Sequence, residues 1–171
     1  MRFYLVDRIL ELEPGKRIVG VKNLTLAEEY LADHFPEYPV LPGVMMLEGL
    51  VQTAAWLVRA STDFEKTLVL LKEARNVRYG SFVRPGGQLV MEVRAQEIGT
   101  GTSRFKAEGR CDNQMAVQAA LVLEHRNVAD VESGSAGLDE ALREHLRERF
   151  ALIGGPQALA AGSDQAMSKR R

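Results

Sequence analysis

The sequence is poor in the groups that staple, anchor or metallate a protein. It holds one cysteine, Cys111, and three histidines in 171 residues. A single thiol closes no internal disulfide, so the expected setting is a reducing cytoplasm. Three scattered histidines and one cysteine show no metal-ligand spacing, so no metal is expected. An excess of one charge is missing as well: 22 Lys and Arg stand against 23 Asp and Glu, a formal net charge of −1. That balance excludes the broad basic footprint of a nucleic-acid binder. Long hydrophobic runs are also lacking. The longest nearly uncharged stretch, Tyr38 to Val58, is broken by Pro39, Pro42, Glu48 and Gln52, so no membrane span is expected. Met1 to Arg8 carries charge inside its first apolar run and has no small-residue cleavage pattern, unlike a signal peptide. No serine elbow and no internal repeat is present.

What remains is an ordinary globular composition, 46% hydrophobic, arranged in two periods. Leu89, Met91, Val93 and Ala95 alternate with Val90, Glu92, Arg94 and Gln96, the mark of a half-buried strand. Phe105, Ala107, Gly109 and Cys111 oppose Arg104, Lys106, Glu108 and Arg110, and Asp112-Asn113 then leads into the apolar run Met115 to Leu123, a hairpin signature. Upstream, Phe3 to Leu12 and Arg17 to Lys22 flank the turn Glu13-Pro14-Gly15, and Leu68 to Leu71 begins a further strand running towards Arg78. Between these groups a helix is predicted from Gly43 to about Val58, with Pro42 in its first turn. It is apolar nearly all round and therefore belongs in an interior. A shorter helix is predicted over Leu26 to Ala32. Two strands, a helical segment and four strands favour an α+β fold with an antiparallel sheet wrapped around one central helix. Residues 1–126 form this domain. Residues 127–171 read as an extension, with a linker at Glu132 to Gly137, then a short helix whose apolar stripe is Leu138, Ala141, Leu142, His145, Leu146 and Phe150. A disordered end is predicted from Gly154.

The chemistry concentrates in one segment, Asp33 to Gln52. Pro36, Pro39 and Pro42 stiffen its first half, and a rigid loop feeding a buried helix holds His34 in a fixed place. Taken alone, a loop histidine is more often a structural hydrogen-bonder than a base. Glu48 stands among Val44, Met45, Met46, Leu47, Leu50 and Val51, where a carboxylate is costly unless paired or protonated. Desolvation would keep it protonated near neutral pH and able to act as a general acid. Gln52, one turn on, is placed to hydrogen-bond it, and a satisfied structural pair is the plainer alternative. Gly43 lies in the first turn, where free backbone N–H groups and the helix dipole favour an oxyanion. A base, an acid and an oxyanion donor in one segment suggest elimination next to a carbonyl. The same segment offers Phe35, Val44 and Gln52 as substrate contacts.

The order His34-Phe35-Pro36, then Pro42-Gly43-Val44, then Glu48 before Gln52 resembles the β-hydroxyacyl-acyl carrier protein dehydratases of the FabZ type. The likeness takes in Leu5-Val6-Asp7-Arg8, Pro14-Gly15, Lys22-Asn23-Leu24-Thr25 and Val83-Arg84-Pro85-Gly86 with Gln88-Leu89, covering about residues 3–125. It implies a hotdog fold, a homodimer or a trimer of dimers, and no metal or redox cofactor. It further implies His34 as the catalytic histidine, Glu48 as the acid contributed by the neighbouring subunit, the Gly43 amide as holder of the thioester carbonyl, and acyl carrier protein as the partner. Glu37, Gly49 and Gly87 depart from the family, which usually has glycine, alanine and aspartate there. Glu37 stands three residues from His34, close enough to raise the imidazole pKa or narrow the tunnel mouth. Arg75, Arg78 and Arg84 are candidates to meet the acidic carrier, with solvated strand-end charges as the plainer alternative for each. Tyr79 is a candidate flank of the acyl tunnel. The alternatives are a hotdog thioesterase or enoyl-CoA hydratase, and a non-catalytic acyl-binding hotdog subunit.

Overall fold

A computed structural model describes residues 3–131 and 136–168. Six strands form one antiparallel sheet: β1 (Arg8–Glu13), β2 (Arg17–Asn23), β3 (Leu68–Tyr79), β4 (Gln88–Ile98), β5 (Thr102–Cys111) and β6 (Gln114–Arg126). Their order across the sheet is β1-β2-β4-β5-β6-β3. Helix α1 (Gly43–Ser61) packs against β2, β3, β4, β5 and β6. The alternation read in β4 and β5 is the sheet's inside-outside alternation: Leu89, Met91, Val93 and Phe105 are buried beneath α1, whereas Arg94, Lys106 and Arg110 are exposed. Asp112 and Asn113 both adopt positive φ, 50° and 62°, the two-residue turn whose twist suits a tight hairpin. Leu50, Ala54 and Leu57 of α1 are fully buried, and truncating Leu57 to Ala costs about 2–5 kcal/mol.

Several sequence expectations change. Phe3 to Asp7 does not join β1, because the Leu5 N–H and the Phe3 carbonyl are engaged by the Gln52 side chain. Over Leu26 to Ala32 only one 3-10 turn forms, Glu29–Leu31. Thr25 Oγ1 accepts the Ala27 N–H there, a local turn that competes with helix nucleation. Pro42 is the N-cap of α1, with extended backbone at φ −56° and ψ 139°, and not a first-turn residue.

The extension differs most. Of its expected linker, Glu132 to Ser135 lie outside the described residues. Helix α2 spans Ala136–Leu152 and α3 spans Gly155–Ser168, so most of the stretch expected to be disordered is helical, and its residues 169–171 lie outside the described residues. The glycines that suggested disorder make the corner between these helices. Gly154 has φ +83°, and a Cβ on Gly155 would lie 2.3 Å from the Phe150 ring. The predicted stripe is also rotated. Leu138, Ala141 and His145 are exposed, and the buried residues are Asp139 and Phe150. Asp139 accepts hydrogen bonds from Thr67 Oγ1 and from the N–H groups of Val128 and Ala129 at 2.8 and 2.9 Å. Phe150 lies 5.9 Å from Trp56 and 5.4 Å from Phe64, centroid to centroid. The Ile153 carbonyl accepts the Ile9 N–H at 2.8 Å, and α3 covers β1. At the other end of the sheet β3 has no strand neighbour on its outer side, and Leu70 and Leu71 are 41% and 40% exposed.

Candidate active site

The loop before α1 is held at both ends. Leu31 is buried, and the Leu41 N–H donates to the Val83 carbonyl at 2.9 Å. Between them Phe35 adopts φ +51°, unusual for a side-chain-bearing residue. Such strain costs about 1–3 kcal/mol and persists where the surroundings impose it. Here the Tyr38 N–H closes a turn on the Phe35 carbonyl at 2.8 Å, and the Phe35 ring meets the His34 ring edge-on, with 4.5 Å between centroids. His34 is half-buried, while Phe35 is exposed. Glu37 is exposed, and among the described residues no hydrogen bond or ion pair joins it to His34.

The chain then enters α1. The Pro42 carbonyl accepts the N–H groups of Met45 and Met46 at 2.9 and 3.1 Å, which leaves those of Gly43 and Val44 without an intrahelical acceptor. The Tyr79 ring explains the glycine: a Cβ on Gly43 would lie 3.0 Å from Tyr79 Cε1. Tyr79 is thereby fixed against the helix entrance while half-exposed, and Val44 is exposed.

Glu48 occupies the second turn of α1. It is half-buried, not enclosed as its apolar neighbours suggested: in the first turns of α1 Val44 is exposed and Met45, Leu47 and Glu48 are half-buried, whereas most residues from Gly49 to Val58 are buried. Its Oε1 accepts a hydrogen bond from Gln52 Nε2 at 3.0 Å. Gln52 Nε2 also donates to the Phe3 carbonyl at 3.0 Å, and Gln52 Oε1 accepts the Leu5 N–H at 3.0 Å. The Gln52 amide is therefore engaged by protein groups and holds the Glu48 carboxyl in place. Among the described residues no hydrogen bond joins His34 to Glu48, and the cavity beside Glu48 is not lined by His34.

The departures have local causes. A Cβ on Gly49 would lie 2.8 Å from Met91 Sδ. Pro85 and Gly86, with φ +90° at Gly86, make a turn closed by the Gly87 N–H on the Arg84 carbonyl at 2.8 Å. A Cβ on Gly87 would meet that carbonyl at 2.9 Å and Cys111 Sγ at 3.2 Å. Of the three arginines, Arg75 is paired with Glu73 at 2.6 Å, which raises its pKa. Arg78 is exposed on β3. Arg84 sits 4.6 Å above the Tyr38 ring, which packs edge-on against Phe82, so it alone of the three is tied to the His34 loop. Sequence reasoning missed Tyr38 and Phe82, 45% and 64% exposed; their proximity to the loop motif and to Arg84 was the available signal.

An antiparallel sheet around one helix defines a hotdog-fold protein, and the histidine in the loop entering that helix and the carboxylate on its second turn are its candidate acid–base pair. Solved structures share the fold. A dehydratase heterocomplex from Xenorhabdus doucetiae matches with a TM-score of 0.63 at 16% identity, covering 75% of this chain and 86% of that one. A thioesterase from Pseudomonas aeruginosa matches with a TM-score of 0.56 at 14% identity, covering 70% and 80%. The family model of the FabA-like domain matches residues 1–123, and the chain belongs to that family. A protein of Albidiferax ferrireducens named 3-hydroxyacyl-[acyl-carrier-protein] dehydratase FabZ is 41% identical over 130 residues, 74% of this chain and 87% of the relative. One of the same name from Caldanaerobacter subterraneus is 40% identical over 120 residues, 70% of this chain and 85% of the relative.

Proposed function

We propose that the protein is a hydro-lyase that converts 3-hydroxyacyl thioesters on acyl carrier protein into trans-2-enoyl thioesters in fatty-acid or related lipid synthesis. The observation that carries this reading is a single loop-helix unit, in a chain of the FabA-like family, that presents His34, free amides at Gly43 and Val44, and Glu48. The thioester carbonyl docks on the Gly43 N–H at the positive end of the α1 dipole, which stabilises the enolate oxygen as it forms. His34 takes the α-proton. The β-C–O bond breaks as Glu48 donates its proton to the departing hydroxyl, releasing water and leaving the double bond between the α and β carbons. Proton exchange with solvent returns His34 to its neutral form and Glu48 to its acid form.

The open β3 edge with Leu70 and Leu71 offers a surface for a homodimer, in which His34 of one copy pairs with Glu48 of the other, as the likeness to the dehydratases implies. A trimer of such dimers is the larger assembly the reading admits. Arg84, Arg78 and Arg75 meet the acidic carrier, with Arg84 nearest the loop. Phe35 and Val44, both exposed beside His34 and Gly43, line the substrate's path. The proposed setting is the cytoplasm. Cys111 is free and buried, and among the described residues no helix is long and apolar enough to cross a membrane.

Incubation with a 3-hydroxyacyl carrier-protein thioester tests the reading. Enoyl absorbance should rise without release of free thiol. Thiol release would mark a thioesterase, and neither signal would mark a non-catalytic acyl-binding subunit.

A further inference from the structure

One face of α1 leads from Glu48 to a cation without a counter-ion. Glu48, Gln52, Ala55 and Arg59 follow at spacings of four, three and four, so they share a helix face, with Arg59 about 16 Å beyond Glu48 along the axis. A cavity of about 200 Å³ runs along this face, bounded by Phe3 and Tyr4 on one side and by His145, Leu146 and Arg149 of α2 on the other. Val51, Ala55 and Leu146 supply apolar lining, and Arg59 and Arg149 both line the same cavity.

Arg59 is half-buried, and its Nε is fully buried with no hydrogen-bond acceptor. The guanidinium stacks over Trp56 at 5.2 Å, and burial pushes its pKa down to about 10. Arg149 lies 4.0 Å above the Tyr4 ring. Among the described residues neither arginine forms an ion pair. A desolvated cation facing apolar walls is costly unless an anion meets it. Glu48, three turns away, is too distant to be that anion. The cavity is also smaller than the roughly 300–1,000 Å³ that encloses a whole small ligand. It has the size and lining for the end of a ligand: a short apolar span terminating in negative charge.

We propose that this cavity receives the far end of the acyl chain and selects chains that end in a carboxylate, gripped by Arg59 and Arg149. The proposal rests on the dehydratase reading, because Glu48 joins the cavity to the reacting carbon. It assigns a role to the extension, since α2 lies outside the family-matched residues 1–123 and supplies Arg149.

The test uses two 3-hydroxyacyl carrier-protein thioesters of equal length, one ending in a methyl group and the other in a carboxylate. The wild-type protein should show the higher kcat/KM for the carboxylate-ended chain. Arg59→Gln, and separately Arg149→Gln on the outer helix, should lower the carboxylate-to-methyl ratio about tenfold or more, the worth of a charge-assisted hydrogen bond. A wild-type preference for the methyl-ended chain, or a ratio unchanged in both variants, would overturn the proposal. If neither thioester is dehydrated, the dehydratase reading fails and the cavity is decided by calorimetric titration with octanoate. Saturable binding weakened in both variants would uphold a carboxylate site. No binding, or equal binding by all three proteins, would overturn it.

Discussion

Glu48 and Gln52 meet at 3.0 Å, and the consequence of a substitution depends on which property of Glu48 is removed. Glu48→Gln preserves size and the ability to accept a hydrogen bond from Gln52, but it has no proton to give. We predict a fall in kcat of about a hundredfold to ten-thousandfold, the usual worth of a general acid, with the unfolding midpoint unchanged. Near-normal turnover would make Glu48 structural. Gly49 makes the opposite case. The space above it is filled by Met91 Sδ, 2.8 Å from where a Cβ would stand. Gly49→Ala should therefore cost about 1–3 kcal/mol in denaturant unfolding through overpacking, and Met91→Val in the same chain should recover part of the loss. Equal stability of wild type and Gly49→Ala would show that the methionine yields without strain.

Among the elements, β4 and β5 were legible because their alternation turns one face of each to a single core, and α1 because residues apolar nearly all round mark a helix buried in that core. The Pro-rich loop, His34 and Glu48 were legible by residue type and spacing. Phe3 to Leu5 was not, since the Phe3 carbonyl and the Leu5 N–H bond to the Gln52 side chain, some 47 residues away from Leu5, and the chain meets a strand only at Asp7, whose N–H donates to the Val21 carbonyl of β2. Helix α3 was hidden because small residues such as Ala158 do its packing and leave no strong stripe. Helix α2 was displaced by Asp139, a buried carboxylate that composition assigns to a solvated face. Burial pushes the Asp139 carboxyl up, but hydrogen bonds from Thr67, Ala129 and Val128 outweigh that and hold its pKa below the usual value. A carboxyl with a lowered folded pKa stabilises fully above its unfolded pKa, about 3.9, and this contribution disappears as pH falls through the folded value. Trp56 is the single tryptophan and touches Phe150 of α2, so it reports α2 docking. Its fluorescence should shift to the red below about pH 4, before far-ultraviolet dichroism reports global unfolding. In Asp139→Asn the red-shifted emission should already be present at neutral pH. An Asp139→Asn spectrum identical to wild type would mean that α2 docks through its aromatic contacts alone.

For the whole molecule the proposed function asks how a carrier-borne substrate would reach a site shared by two copies. Arg84, fixed over Tyr38 beside the His34 loop, is the residue proposed for the approach. Arg84→Glu should raise KM for a carrier-protein thioester several-fold, and added salt should raise the wild-type KM, while KM for the same acyl group on free pantetheine stays unchanged in both cases. Equal effects on the two thioesters would place Arg84 in the acyl path instead. The shared site itself is tested most directly by complementation. His34→Ala and Glu48→Gln chains, each inactive alone, are mixed under conditions that exchange subunits, and exchange is confirmed by mass. A mixed dimer then contains one doubly defective site and one intact pair. Random mixing makes about half the dimers mixed, so about a quarter of the wild-type site density should return. Activity that stays at background despite confirmed exchange would contradict the account, because a site built within one chain leaves no intact pair in the mixture.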